Sequence, residues 1–187
     1  MKTIYGDEDD DRLMARAAKG DHDAFGVIVR RHQHRLQRFA ARMLGRDPSR
    51  AADVAVGALL RLWETRANYR AHGRLGAWLT TATYRLCLDA LDDPRTGRET
   101  EFDETELSDA GCFPLEIERE ALGEAVRTAV LELPPSHRAV VVLSVYEGMG
   151  YDAIADALEI SAGTVASRKN HAIALLRRRL AAWREGS

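Results

Sequence analysis

Donor-rich side chains cluster at the beginning of a long helix predicted near the carboxyl end of the sequence. Hydroxyl, guanidinium, ammonium and imidazole groups reach phosphate oxygens and base edges in the major groove of duplex DNA. The candidate contact residues are Ser161, Thr164, Ser167, Arg168, Lys169, His171 and Arg177. This set predicts nucleic-acid binding, to which the Arg177 region adds salt-sensitive attraction to the phosphate backbone.

A helix-turn-helix is the element that would position these donors. The apolar spacing predicts a short helix over 151–158, a tight turn at 159–161 and a long helix over 162–183. Ser161 can cap the second helix, and the small Ala155 lets the two helices cross closely. The alternative interpretation is an αα-hairpin whose outer face is simply solvated.

Helices are also predicted before this unit. A helix over about 115–131 stops at Pro134 and Pro135, and a second one continues to Tyr146. Residues 140–142 alone could form a buried strand, but the apolar spacing continues beyond them and favours a helix.

The first half of the sequence predicts a bundle of four helices. Two amphipathic helices break near Gly20, where Asp21 can cap the second one. Asp47 followed by Pro48 predicts the start of a third helix, because proline suits the first helical position. The fourth helix covers about 75–91 and ends before the next proline.

Composition and charge place the chain in the all-α class, with two small helical domains. The 187 residues are 45% hydrophobic and 30% charged, with 5 prolines, and charge divides the chain into three segments. Residues 1–91 carry a net +5, residues 92–120 a net −8 and residues 121–187 a net +1. We therefore predict domains at 1–93 and 115–187, joined by a flexible acidic linker at 94–114.

The sequence also limits location and chemistry. No apolar run approaches the roughly 20 residues of a membrane span, and the acidic start is unlike a signal peptide, so we expect a cytoplasmic protein without membrane insertion. Cys87 and Cys112 are expected to be free thiols. Motifs of phosphate-binding loops, zinc proteases and serine hydrolases are absent, so we expect no catalysis, metal or cofactor.

Six short strings stand out in the two halves of the sequence. They are LPPSHR at 133–138, YEG at 146–148, YDAIA at 151–155, GTVASR at 163–168, AKGDHDAF at 18–25 and LRLW at 60–63. These strings resemble a known family, the bacterial RNA polymerase sigma factors of the extracytoplasmic-function (ECF) type within the sigma-70 family. The second half is similar to their region 4 and the first half to their region 2.

The resemblance implies a promoter-specificity subunit that binds core RNA polymerase and promoter DNA. The helix-turn-helix would read the upstream promoter element, and the first domain would open the downstream one. An anti-sigma factor is a further candidate partner. The implied polymerase-binding residues are Asp53, Leu60 and Arg61, and the implied promoter-melting residues are Asn68, Tyr69, Arg70 and Trp78. For Trp78 the alternative is a packing role, because its helical face is apolar.

Departures from the family pattern leave a second function open. Val56 and Gly57 stand where the family usually has Gln and an acidic residue, Arg85 replaces an Asn, and acidic residues replace a basic run after Asp89. The alternative is a sigma-like interaction protein that titrates an anti-sigma factor or competes for promoters without initiating transcription. A helix-turn-helix repressor is a third possibility, for which the sequence offers no obvious dimerisation helix.

Overall fold

The computed structural model describes Tyr5 and residues 8–45, 47–70, 73–93 and 114–186, with side chains at 114–120 and 182–186 excepted. These residues form helices and contain no strand, which confirms the all-α prediction. The helices are α1 (Asp10–Ala17), α2 (His22–Leu44), α3 (Pro48–Thr65), α4 (Leu75–Asp92), α5 (Pro114–Leu131), α6 (Pro135–Val141), α7 (Tyr151–Leu158) and α8 (Ala162–Gly186). A 3₁₀ turn (Arg66–Asn68) follows α3, and a π-helical turn (Val142–Tyr146) follows α6.

Aspartate caps fix where the first three helices begin. The carboxylates of Asp9, Asp21 and Asp47 accept from backbone N–H groups three residues on, at 2.8, 3.0 and 3.1 Å. Each cap satisfies an amide that the helix leaves without a partner. The pKa of Asp21 is lowered, first by its bond from the Ala24 amide, and that of Asp47 is lowered by bonds from Ser49 and the Arg50 amide. The predicted caps at Asp21 and Asp47 are confirmed.

The helix predicted through Tyr146 is present, but it widens before its end. Residues 140–142 are buried and helical, so the strand alternative is wrong. Beyond Val141 the backbone bonds span five residues, as in the bond from the Glu147 amide to the Val142 carbonyl at 3.1 Å. The wider turn leaves Val145 and Tyr146 exposed while Leu143 is buried.

Residues from both halves of the chain pack together in one of the hydrophobic clusters. Phe39, Met43 and Cys87 from the first half lie in the same buried cluster as Val140 and Ile154 from the second half. Burial raises the pKa of the Cys87 thiol to about 12, so this thiol stays protonated at neutral pH. Cys112 and residues 94–113 of the predicted acidic linker lie outside the described residues, whereas Pro114 begins α5. The division at 94–114 stays a prediction.

Arg138 connects helices from both halves at this core. It is only 7% exposed, and its guanidinium donates to the carbonyls of Met43, near the end of α2, and Leu131, the last residue of α5. A third bond goes to the Leu133 carbonyl at 3.1 Å. The last carbonyls of a helix lack intrahelical partners and carry partial negative charge, so they suit a buried cation.

Replacing Arg138 by Met tests this connection. Arg138→Met keeps an unbranched apolar stem but leaves buried carbonyls without donors, so we expect the free energy of unfolding to fall by about 2–4 kcal/mol. Urea unfolding measures the change. Arg127→Gln, which breaks a surface pair with Glu124, is the control and should stay within about 0.5 kcal/mol. Equal losses in the two variants would contradict the connecting role.

Candidate nucleic-acid interface

Local interactions build the predicted helix-turn-helix from α7, residues 159–161 and α8. Glu159 ends α7 in the left-handed region, with φ of 55°, and the Ile160 amide then bonds back to the Ala155 carbonyl at 3.0 Å. The Ser161 hydroxyl accepts from the Thr164 amide at 3.1 Å, as a helix cap does. Ile154 and Val165 are fully buried. The predicted turn and the Ser161 cap are confirmed.

The predicted DNA-contacting residues lie along one helix, and none of them is buried. Ser161, Ser167, His171 and Arg177 are exposed, whereas Thr164, Arg168 and Lys169 are half-buried. The Thr164 hydroxyl lies 2.8 Å from that of Ser161, and the Lys169 ammonium lies 5.1 Å from the centre of the Tyr151 ring. These contacts orient two of the donors before any ligand binds.

His137 belongs to the same surface but was not among the predicted contacts. Its ring packs edge-on against His171, with ring centres 5.1 Å apart. Burial lowers the pKa of His137, and the nearby His171 and Arg168 lower it further. The pairing joins α6 to α8, so only the tertiary structure could reveal it.

The predicted polymerase-binding residues lie on the exposed side of α3. Asp53, Leu60 and Arg61 are all exposed, and Arg61 lies 3.9 Å from the Asp89 carboxylate. Val56 lies between Asp53 and Leu60 on the same helical face, and its exposure of 54% matches the 55% of Leu60. Asp53, Val56 and Leu60 thus form a row with a charged end and an apolar centre.

The predicted promoter-melting residues differ in exposure. Asn68 and Arg70 are exposed, whereas Tyr69 and Trp78 are half-buried and pack against the core of the first half. The Tyr69 hydroxyl donates to Asp11 Oδ1 at 3.2 Å. Burial, followed by the charge and hydrogen bond of Asp11, raises the pKa of Tyr69 to about 12. The partial burial of Trp78 agrees with the packing alternative for this residue.

Helix α4 of the first half packs against the turn of the helix-turn-helix. The Thr81 hydroxyl donates to the Ala157 carbonyl at 2.6 Å, near the end of α7. Arg85 pairs with Glu159 at 2.5 Å, and Arg74 lies 3.6 Å from Asp156. The turn therefore has neighbours from the first half, while the exposed donors of α8 remain accessible.

The described residues contain neither a cluster of metal ligands nor a helix that could span a membrane. No group of three or more His, Cys, Asp or Glu residues in the described ranges is placed to hold a metal ion. Among the same residues, no helix combines the length and the apolar character that crossing a membrane requires.

Comparison with known proteins matches both halves of the chain. The family model of sigma-70 region 2 matches residues 28–96, and that of sigma-70 region 4 matches residues 123–176. The chain is 31% identical over 174 residues to the ECF RNA polymerase sigma factor SigM of Mycobacterium tuberculosis, covering 91% of this chain and 84% of SigM. It is 27% identical over 175 residues to the RNA polymerase sigma-H factor of Pseudomonas aeruginosa, covering 86% and 88%.

Solved structures show a similar arrangement of helices. A chain in the structure of CnrH in complex with the cytosolic domain of CnrY is 26% identical, with a TM-score of 0.67, and the match covers 92% of this chain and 97% of that one. A chain in the co-crystal structure of the sigma factor RpoE with the anti-sigma factor NepR from Bartonella quintana has a TM-score of 0.63 at 20% identity, covering 83% and 96%. The second likeness concerns the fold alone.

The ion pair between Arg85 and Glu159 can be tested by exchanging its charges. Arg85→Glu places two carboxylates together, so we expect it to destabilise the folded chain by about 0.5 kcal/mol at low salt, a small effect because water screens exposed charges. The double variant Arg85→Glu with Glu159→Arg should recover most of that loss. Urea unfolding of the four proteins measures the coupling. Additive effects of the two substitutions would show that the pair does not connect the halves.

Proposed function

The chain belongs to the sigma-70 family of RNA polymerase sigma factors, in its ECF group, and from that membership we propose that it binds core RNA polymerase and directs initiation at specific promoters. The second half would read the upstream promoter element, and the first half would bind polymerase and open the downstream element. We propose that it acts in the cytoplasm and has no catalytic activity of its own.

One observation carries the DNA-reading part of this proposal. The loop at 159–161 positions α8 so that the beginning of this helix presents hydroxyl and cationic donors, and none of these donors is buried. A recognition helix contacts base edges through its N-terminal residues, while cations further along it attract phosphates. Thr164, Ser167 and Arg168 would therefore supply base preference, and Arg177 would add affinity that depends on salt.

The row on α3 supports polymerase binding by the first half. Leu60 and Val56 expose apolar side chains, and Asp53 and Arg61 place opposite charges next to them. An apolar centre with a charged rim is typical of protein interfaces. We propose that this row contacts polymerase, and that the segment with Asn68, Tyr69, Arg70 and Trp78 opens the promoter, with the exposed Asn68 and Arg70 contacting the separated strand.

An anti-sigma factor is a proposed regulatory partner. The sigma factor RpoE of Bartonella quintana was solved with the anti-sigma factor NepR, and its fold is similar to that of this chain.

The second candidate function is a sigma-like protein that binds partners or promoters without initiating transcription. It is favoured by Val56 and Gly57, where the family usually has polar residues. A Cβ atom at Gly57 would lie 3.4 Å from Leu86 Cδ1, so this position faces α4 rather than open solvent. A pull-down of core polymerase followed by run-off transcription separates the two: binding with promoter-dependent transcripts supports the first, and failure to bind supports the second.

Arg168→Ala tests the DNA-reading helix. If Arg168 contacts a base edge, the substitution should weaken binding to the upstream element by about 1–3 kcal/mol and relax base preference at one position. Footprinting and binding-site selection with the polymerase complex measure both effects.

Arg178→Ala on the same helix is the matched control for this experiment. Arg178 is exposed, and we expect its loss to weaken binding equally across DNA sequences, as for a phosphate contact. The slope of the logarithm of the binding constant against the logarithm of salt concentration should become shallower by about 1. An unchanged footprint and unchanged base preference with Arg168→Ala would refute its assignment.

Leu60→Ala tests the proposed docking row. The substitution removes exposed apolar surface from the row, so we expect the affinity for core polymerase to fall by about 1–2 kcal/mol with little change in stability. Leu122, which is 47% exposed on α5, offers a matched control through Leu122→Ala. Equal affinities for the two variants and the native protein would place the docking surface elsewhere.

A further inference from the structure

Asp11 on α1 contacts the chain on both sides of Arg70 through separate carboxylate oxygens. Asp11 Oδ1 accepts from the Tyr69 hydroxyl at 3.2 Å, and Oδ2 accepts from the Gly73 amide at 2.7 Å. These contacts join residues 58 and 62 positions apart in the sequence. Hydrogen bonds to an ionised carboxylate are stronger than those between neutral groups, so Asp11 fixes two points four residues apart.

Helix α1 is itself anchored, so it can serve as a support. Asp10 bonds the Arg31 guanidinium at 3.0 Å, and its other oxygen lies 2.7 Å from His32 Nε2, both on α2. Leu13 and Met14 are buried in the core of the first half. The position of Asp11 is therefore set by α2 and by the core of the first half, in addition to its bonds with Tyr69 and Gly73.

The contacts leave particular groups available for binding. The Tyr69 hydroxyl is engaged by Asp11, and its ring packs against the core, whereas Asn68 and Arg70 on either side are exposed. Gly73 has φ of 66°, a conformation that glycine adopts without the strain of a side chain. With Tyr69 and Gly73 fixed, Asn68 and Arg70 are presented to solvent from a held backbone.

We propose that Asp11 is a positioning residue for promoter opening, which holds Tyr69 and Gly73 so that Asn68 and Arg70 meet the separating strand in a fixed geometry. The inference rests on the proposed function, because it assigns a support to the melting segment. Asp11 does not contact DNA in this scheme. Its effect should appear in the opening step rather than in polymerase binding, since the row on α3 is separate.

Asp11→Asn is the variant that tests the inference, because it keeps the shape of the side chain but removes the charge and one acceptor oxygen. The probe is a promoter selected from a random library by the native polymerase complex and labelled with 2-aminopurine. We expect the opening rate to fall about tenfold, which corresponds to weakening roughly one charged hydrogen bond, while binding of core polymerase and of the closed promoter stays within about twofold. Asp23→Asn, an exposed acid in the first turn of α2, is the control and should leave both quantities unchanged.

The free chain provides a second measurement that does not depend on transcription. Ultraviolet titration, compared with a Tyr69→Phe variant to isolate one phenol, should give Tyr69 a pKa of about 12 in the native chain. Asp11→Asn should lower this pKa, because the neighbouring negative charge that opposes phenolate formation is removed. An unchanged titration of Tyr69 would overturn the contact itself.

The outcomes separate this inference from the proposed function. If the native chain opens promoters and Asp11→Asn opens them at the same rate, the positioning role is wrong and the function stands. If Asp11→Asn weakens polymerase binding, closed-promoter binding and opening to the same extent, Asp11 acts only on folding and the positioning role is also wrong. If the native chain binds no polymerase and opens no promoter in the library, the proposed function fails and this inference fails with it.

Discussion

The bonds from the Arg138 guanidinium to carbonyls of both halves set the arrangement on which the other contacts depend. A buried cation loses hydration, and burial lowers the pKa of Arg138 accordingly. Carbonyls near the ends of α2 and α5 offset that cost because they carry partial negative charge and need donors. The same geometry brings Met43 and Cys87 into contact with the core of the second half. A small shift of α6 would break these bonds and the shared packing together, so the two halves are held at one relative position.

That arrangement divides the surface of the helix-turn-helix into two parts. Thr81 and Arg85 on α4 contact the end of α7 and the turn, whereas Ser167, His171 and Arg177 on α8 remain exposed. The polar contacts to the turn include one hydrogen bond and exposed ion pairs, which are individually weak. The contacts that hold the halves together in the core are buried. Separating the turn from α4 would therefore cost little free energy in surface contacts. The main cost would come from the bonds of Arg138 and from the apolar cluster around it.

Much of the fold could be predicted from the sequence because its signals are local. Asp21, Asp47 and Ser161 cap helices within three residues of themselves, and the 3.6-residue apolar spacing identifies the helices of both halves. The π-helical turn was not predicted, since the same apolar spacing fits an α-helix through Tyr146. The contacts of Arg138 with Met43 and of Asp11 with Tyr69 join residues 95 and 58 positions apart in the sequence. The apolar periodicity within one helix does not indicate which distant residues come into contact. The position of the candidate site residues on helices was therefore predictable, while the groups that support them were not.

The acidic residues at the start of the chain show why charge counts alone mislead. Asp9, Asp10 and Asp11 are consecutive and read as a solvated acidic run, yet each has a different partner. Asp9 caps α1, Asp10 binds Arg31 and His32 of α2, and Asp11 binds Tyr69 and Gly73. A negative charge near DNA repels the phosphate backbone, so under the proposed function an acid beside the melting segment needs a compensating role. Asp11 meets this condition because both of its oxygens accept hydrogen bonds, from Tyr69 and Gly73, so that in the proposed scheme its charge is a fixed support for the donors beside it.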